Sequence, residues 1–364
     1  MRKIQPVLFV LVMALLVTYS CKSVETTSAM LHNQHKNYEK AIEMATLALE
    51  KNPNDAEAHF QLGISFSYTG KMREAFDEFT MASRLDPNKV DDAENNIKHN
   101  WAKHFNNGVS EFQAENFEGA AKEFELSTFS DPRQIKGWLN LAKVYNTLAE
   151  EDTTYLQNAY ETADTLMAKT TKDDENYGNV LALAGQVMIR RGMKEEAVKI
   201  FEDLMLDDPT NFETVEEVGL EFLDKDEYDY AAKFFEMAIN GRRQTESESF
   251  DLYYNMGVTY YNIAMNVQKE DSIRALEVFM KAIDAYQEAR TLRSDDRQAN
   301  YSLLLTYYQS GFYDEAIAEG QRYTTEIAPE EPRGWQILSL AYNKRHMKIK
   351  AEEAFQKYRA LTGQ

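Results

Sequence analysis

Two hydrophobic patterns divide the chain. Behind Arg2 and Lys3, an unbroken apolar run extends from Val7 to Val17 and ends at Thr18-Tyr19-Ser20-Cys21. That run is too short to cross a bilayer, which takes about 20 residues. Further on, small and aromatic residues recur at fixed offsets. Leu62-Gly63 leads to Phe66, Ala75, Phe79, Ala82 and Pro87. The spacing returns at Gly108 (Ala120, Phe124, Ser127, Pro132), Gly185 (Ala197, Phe201, Leu204, Pro209) and Gly219 (Ala231, Phe235, Ala238). It returns again at Leu304 (Ala316, Gly320, Tyr323) and Ser339 (Ala351, Phe355, Tyr358). Two copies carry insertions. Trp138, Leu141, Ala142 and Tyr145 open one, which Ala159, Ala163 and Leu166 close. Gly257 and Tyr260 open the other, and Ala282, Tyr286 and Ala289 close it, with 25 residues from Gly257 to Ala282 against 12 from Gly63 to Ala75. The pattern predicts pairs of helices. Gly and Ala are expected where the two helices of a pair cross closely, and the aromatics fill the neighbouring holes. Turns at Tyr68-Thr69-Gly70-Lys71, Arg191-Gly192 and Ser310-Gly311 punctuate one end, and Asn52-Pro53, Asp86-Pro87 and Asp208-Pro209 the other. Proline suits the first turn of a helix, where its missing N–H costs nothing.

This spacing resembles the tetratricopeptide repeat (TPR), a helix–turn–helix of about 34 residues, the separation of Gly185 from Gly219. The resemblance covers residues 56–364 as about eight repeats, starting near 56, 101, 135, 178, 212, 250, 297 and 332. A degenerate unit at 31–55 precedes them: Ala41, Ala45, Ala48 and Pro53 fit a second helix, but no first helix is recognisable. The resemblance implies an all-α fold, a right-handed superhelical solenoid with a concave face. In the family the first helix of each repeat lines that face. The corresponding positions give an early set, Phe60, Ile64, Phe105, Val109 and Phe112, and a late set, Tyr254, Tyr261, Tyr301 and Tyr308. These are the expected partner-binding groove, since aromatics are enriched at binding hot spots. The alternative is that superhelix closure or the inserted segments cover some of them. Some family members clamp a carboxylate with Lys three residues before the close-contact residue and Asn just after it. No repeat here carries that pair, so recognition through apolar and aromatic contacts is expected.

Composition supports helices: Ala, Leu, Glu, Lys and Met abound, while 15 Gly and 7 Pro are too few for a turn-rich sandwich or barrel. The net charge of −20 repels phosphate and argues against nucleic acid as a partner. Twelve acidic residues stand against one Lys between Glu202 and Asp229. That stretch reads as solvated helix faces or as a docking face for a basic partner. His32 and His35 lie three apart with no third ligand in view, so no metal or other cofactor is expected. No phosphate-binding Gly loop, Gly-x-Ser-x-Gly elbow or His-Glu-x-x-His occurs. The repeats leave no room for a catalytic domain, and a non-enzyme is expected.

The N-terminus resembles a bacterial lipoprotein signal: a basic start, an apolar run, then a small residue before a lone cysteine. That reading makes residues 1–20 a signal peptide, Cys21 the lipidated residue and residues 21–30 a Thr/Ser-rich tether. The family usually has Leu, Val or Ile three residues before the cysteine; here it is Thr18, with the bulky Tyr19 next. The remaining readings are a cleaved soluble secreted protein and an uncleaved anchor. The lipoprotein reading places the chain in the bacterial cell envelope, held to the outer membrane by lipid. The expected function is a membrane-anchored scaffold that binds other proteins. A subunit of an outer-membrane assembly or secretion machine is the first alternative, and a glycan- or solute-capture lipoprotein the second.

Overall fold

The computed structural model describes residues 22–363. Among these residues there are no strands, and eighteen α-helices pair into nine antiparallel hairpins. The chain divides into two compact units, one ending at Thr171 and the other beginning at Lys172.

The first unit holds four hairpins: α1 (Val24–Gln34) with α2 (Tyr38–Lys51), α3 (Ala56–Tyr68) with α4 (Met72–Leu85), α5 (Val90–Gln113) with α6 (Phe117–Ser130), and α7 (Ile135–Glu151) with α8 (Leu156–Lys169). The second holds five: α9 (Tyr177–Arg190) with α10 (Lys194–Asp207), α11 (Phe212–Asp224) with α12 (Tyr228–Gln244), α13 (Phe250–Val267) with α14 (Ser272–Leu292), α15 (Arg297–Ser310) with α16 (Tyr313–Arg322), and α17 (Pro332–Lys344) with α18 (Lys348–Thr362). A π-helical turn, Tyr323–Ile327, continues α16.

Within hairpins, the glycines sit where the sequence predicts close crossing. A Cβ added at Gly63 would lie 2.8 Å from the Phe79 ring, and one at Gly219 2.6 Å from the Phe235 ring. Gly108 meets Phe124 and Gly185 meets Phe201 in the same way, each ring sixteen residues after its glycine. In the inserted hairpin Gly257 meets Tyr286, twenty-nine residues on. Phe79, Phe124, Phe201 and Phe235 are fully buried. In α15/α16 the arrangement inverts: Leu304 supplies the bulk and Gly320 the space.

Hairpins are stitched to their predecessors by tyrosines placed three residues after the close-contact position. Tyr145 donates its hydroxyl to Glu125 of α6, and Tyr260 donates to Glu236 of α12. Tyr307 accepts from Gln287 Nε2 of α14 at 2.7 Å, and Tyr342 from Gln321 Nε2 of α16 at 2.8 Å. The inner turn of most hairpins needs one residue with positive φ. Gly70, Gly192 and Gly311 fill it in three hairpins, while Lys36, Glu115, Asp226 and His346 fill it in four others.

The structure corrects two boundaries and shows the form of the insertion. The expected tether at 21–30 is helical from Val24: Ser23 caps α1, Thr26 is buried with its hydroxyl donating to Asp55 Oδ2 at 2.6 Å, and Ala29 is fully buried. This is the first helix missing from the unit placed at 31–55. It docks largely through polar contacts, such as Asn33 Nδ2 to the Gln61 carbonyl at 2.8 Å, so its apolar pattern is faint. The repeat expected near 101 starts at Val90, because Ala93 and Ile97 extend its first helix into the core with Phe60 and Phe79. The insertion in the seventh hairpin is largely helical. It lengthens α13 and α14, which close over Ala264, Ala275 and Phe279. Cys21 and the apolar run lie outside the described residues. No described helix is long and apolar enough to cross a membrane.

Candidate aromatic groove

In the second unit, first helices α13 and α15 place Tyr254 and Tyr301 on the same cavity. It has a volume of about 410 Å³ and is lined by Tyr254, Arg297, Gln298, Tyr301, Ser302, Tyr323, Glu331 and Arg333. Tyr254 stacks on Phe250, with ring centroids 6.0 Å apart, and tilts against Tyr286 at 5.8 Å. Tyr301 tilts against Tyr323 at 5.9 Å. The Arg333 guanidinium lies 4.8 Å from the Tyr301 ring centroid and pairs with Glu331 at 2.8 Å. Arg297 pairs with Glu330 at 2.8 Å, both side chains being largely exposed.

Local backbone explains the position of Tyr323. The α-helical ladder of α16 gives way to the π-turn at this residue, whose carbonyl accepts from Ala328 N–H at 2.8 Å. Such turns insert a residue into a helix and redirect its side chains. Tyr323 packs against Gly334 of α17, where an added Cβ would collide with the ring. Burial raises the pKa of the Tyr301, Tyr323 and Tyr261 phenols above the ordinary tyrosine value. They therefore stay neutral hydrogen-bonding groups through ordinary pH. The exposed pairs Arg297–Glu330 and Arg333–Glu331 contribute little to stability, so either arginine can exchange its partner for an incoming carboxylate.

The other residues of the late set flank the cavity. Tyr261 is half-buried with its ring against Phe279, and burial first, then the nearby Tyr301 phenol, raises its pKa. Tyr308 lies against Tyr313 at 5.9 Å and packs on the cluster of Leu304 and Ile337. The early set is placed differently. Phe60 is buried, tilted on Phe79, with the Lys89 ammonium 4.6 Å over its ring. Its expected place in a groove is therefore corrected to the core. Phe105 is half-buried between Trp101 and Phe124, and Ile64 packs beside Phe60. Val109 is half-buried. Phe112 remains open at 39% exposure, its edge toward Phe117. The sequence reading missed Arg297 and Arg333, and it missed that Tyr323, buried at 2% exposure in the core with Leu304 and Ile337, forms the cavity's inner wall, because the π-turn that begins at Tyr323 has no residue signature. Among the described residues no three His, Cys, Asp or Glu are placed to hold a metal ion.

Residues 274–332 match the tetratricopeptide repeat family. Several solved structures resemble the chain. One is the C-terminal part of a TPR repeat-containing protein from Cytophaga hutchinsonii, at 15% identity over 71% of this chain and 95% of that one, TM-score 0.47. Another is a tetratricopeptide repeat protein from Parabacteroides merdae, at 13% identity over 72% and 93%, TM-score 0.40. A third is YrrB, described as a TPR protein with an unusual peptide-binding site, at 18% identity over 66% and 93%, TM-score 0.32. With its glycine–aromatic hairpins and the family match at residues 274–332, the chain has an all-α fold built of tetratricopeptide-type helix–turn–helix repeats.

Proposed function

We propose that this protein is a scaffold of the bacterial cell envelope that binds segments of other proteins at the Tyr254–Tyr301–Tyr323 cavity. The observation that carries this reading is the convergence of three tyrosines and two exchangeable arginines on one opening, from α13, α15, the π-turn and α17. Stacked helical repeats present extended binding surfaces, and aromatic and arginine side chains dominate the energetics of such contacts. The fit is to an extended segment offering an apolar or aromatic side chain beside a carboxylate. Membrane anchoring belongs to the same proposal and rests on Arg2, Lys3, the run Val7–Val17 and Cys21. The glycan-capture reading is weakened by Arg333, which covers the Tyr301 face on which a sugar would stack.

The test is affinity purification from native membranes through a C-terminal tag, comparing wild type with Tyr254→Ala/Tyr301→Ala/Arg333→Ala. Recovery of one or a few envelope proteins with wild type, lost with the variant, supports the reading. An assembly or secretion component as the main partner would identify the machine-subunit alternative. Equal recovery with both proteins rejects the cavity as the binding site.

A further inference from the structure

The last hairpin differs in charge from everything before it. From Pro332 to Gln364 it carries seven Lys and Arg against two Glu, in a chain of net charge −20. A second cavity, of about 350 Å³, lies between α16 with its π-turn and α18, over α17. Its floor is apolar: Trp335, Leu338, Tyr342 and Ala354. The floor is also fixed, because Trp335 Nε1 donates to the Pro329 carbonyl at 2.8 Å and the Tyr342 hydroxyl accepts from Gln321. Lys350 and Lys357 stand on its rim, two turns apart on α18, with Glu353 between them, so the rim is net positive. Neither makes an ion pair among the described residues, and the Lys350 ammonium lies 5.8 Å from the Tyr342 ring centroid. This cavity shares no lining residue with the one around Tyr254.

The chain carries a segment of the matching chemistry. The end of α10 reads Glu202-Asp203-Leu204-Met205-Leu206-Asp207-Asp208. Leu204 is fully buried, whereas Leu206 is 79% exposed among acidic neighbours. An exposed leucine ringed by carboxylates has no role within its own hairpin. It is complementary to an apolar floor whose rim carries two lysines against one glutamate. The two surfaces cannot meet within one molecule, since α10 belongs to the fifth hairpin and packs on α9 and α12, while α18 belongs to the ninth and packs on α17.

We propose that the cavity between α16 and α18 receives the α10 end of a second copy of this chain, with Leu206 on the Trp335–Tyr342 floor and its flanking carboxylates toward Lys350 and Lys357. Such a contact is heterologous: each copy both gives and receives, so association continues beyond a pair unless the geometry closes a ring. It is also salt-sensitive, because ion pairs between exposed lysines and carboxylates are weakened by salt, and the longer-range attraction of the two charged faces is screened.

The test is sedimentation velocity on the purified full chain at low and high salt, with Lys350→Glu/Lys357→Glu and Leu206→Lys as variants whose helicity is checked by circular dichroism. Wild type is expected to exceed the mass of one chain with rising concentration at low salt and to return to it at high salt. Each variant alone is expected to stay a single chain. An equal mixture of the two is expected to give one-to-one pairs, because the first retains the Leu206 end and the second retains the cavity. Wild type that stays a single chain at about 100 μM and low salt overturns the proposal. So does a variant that assembles like wild type, or a mixture that forms no pairs. An acidic, leucine-bearing segment of another protein as the true occupant would show as cavity-dependent peptide binding without self-association, and that too overturns it.

Discussion

At the scale of single residues, the fold depends on a few positions where a side chain is excluded. Gly219 faces the Phe235 ring so closely that one carbon would collide. Gly219→Leu, like Gly63→Leu, is expected to cost about 1–3 kcal/mol or more through overpacking, read as a lower melting temperature. An unchanged melting point would reject the assigned crossing. The tyrosine stitches are a second such class. Tyr260→Phe removes only the hydroxyl bound by Glu236, and a loss of about 1 kcal/mol is expected. His59 gives a pH-dependent case. Burial disfavours its charge, but the Glu78 carboxylate and the Pro53 carbonyl outweigh that and raise its pKa. A raised folded-state pKa stabilises fully below the unfolded value, about 6.5, and the stabilisation is lost as pH rises through the folded value. His59→Gln should flatten that part of the stability–pH curve; a curve identical to wild type would assign the slope to other groups.

At the scale of elements, the inner turns and the seventh hairpin carry the tests. Glu115 has φ 59° at the turn position that Gly70 occupies with φ 80°. Side chains with a Cβ pay about 1–2 kcal/mol there, offset in part by the unfolded-state entropy of glycine. Glu115→Gly is therefore expected to raise the melting temperature slightly, whereas Gly70→Ala should lower it. The insertion offers a larger test. Removing residues 265–277 would bring Tyr286 sixteen residues from Gly257, the spacing of Gly63 and Phe79. Helicity per residue and cooperative unfolding should survive that deletion, which removes only Ala275 from the buried cluster of Ala264, Ala275 and Phe279. Loss of cooperativity would make the extension part of the unit's core. The hairpins were legible in the sequence because a close crossing restricts residue type at a fixed interval. α1 was not, since its contacts run through Thr26 and Asn33 rather than an apolar stripe. Nor was the burial of Phe60, which Ala93 and Ile97 of the next hairpin help to cover while Lys89 reaches back over its ring. The late groove positions were legible individually, and Tyr323 was legible as a core aromatic of its repeat, but the repeat pattern contains nothing about the π-turn that begins there or about the cavity its ring borders.

At the scale of the whole molecule, charge and address carry the remaining expectations. Under the envelope proposal, Cys21→Ala should move the protein from membrane to soluble fractions; unchanged membrane partition would sink the anchor. The acidic stretch from Glu202 to Asp229 is only partly a free surface. Glu216 is held by Arg242 at 2.7 Å, and Lys194 is bound by Glu227 while facing the Phe222 and Tyr230 rings. The exposed remainder on α10 and α11 keeps the strong negative field that the sequence predicts.

The tyrosine stitches also grade the second unit along its length. The seventh, eighth and ninth hairpins each clasp their predecessor through a hydroxyl, at Tyr260, Tyr307 and Tyr342. At the corresponding position of the sixth hairpin stands Phe222, and the hydroxyl that reaches α10 is instead that of Tyr230, which donates to Glu195 at 3.0 Å beside the Lys233–Glu195 and Lys194–Glu227 ion pairs, polar contacts at the exposed surface that are worth little in water. In a stack whose members lean only on their neighbours, opening begins at the weakest seam. Backbone amides of α9, α10 and α11 should thus exchange with solvent ahead of those in α13 to α18. A partner held at Tyr254 and Tyr301 would grip the end that opens last, leaving the acidic end free to yield first under load.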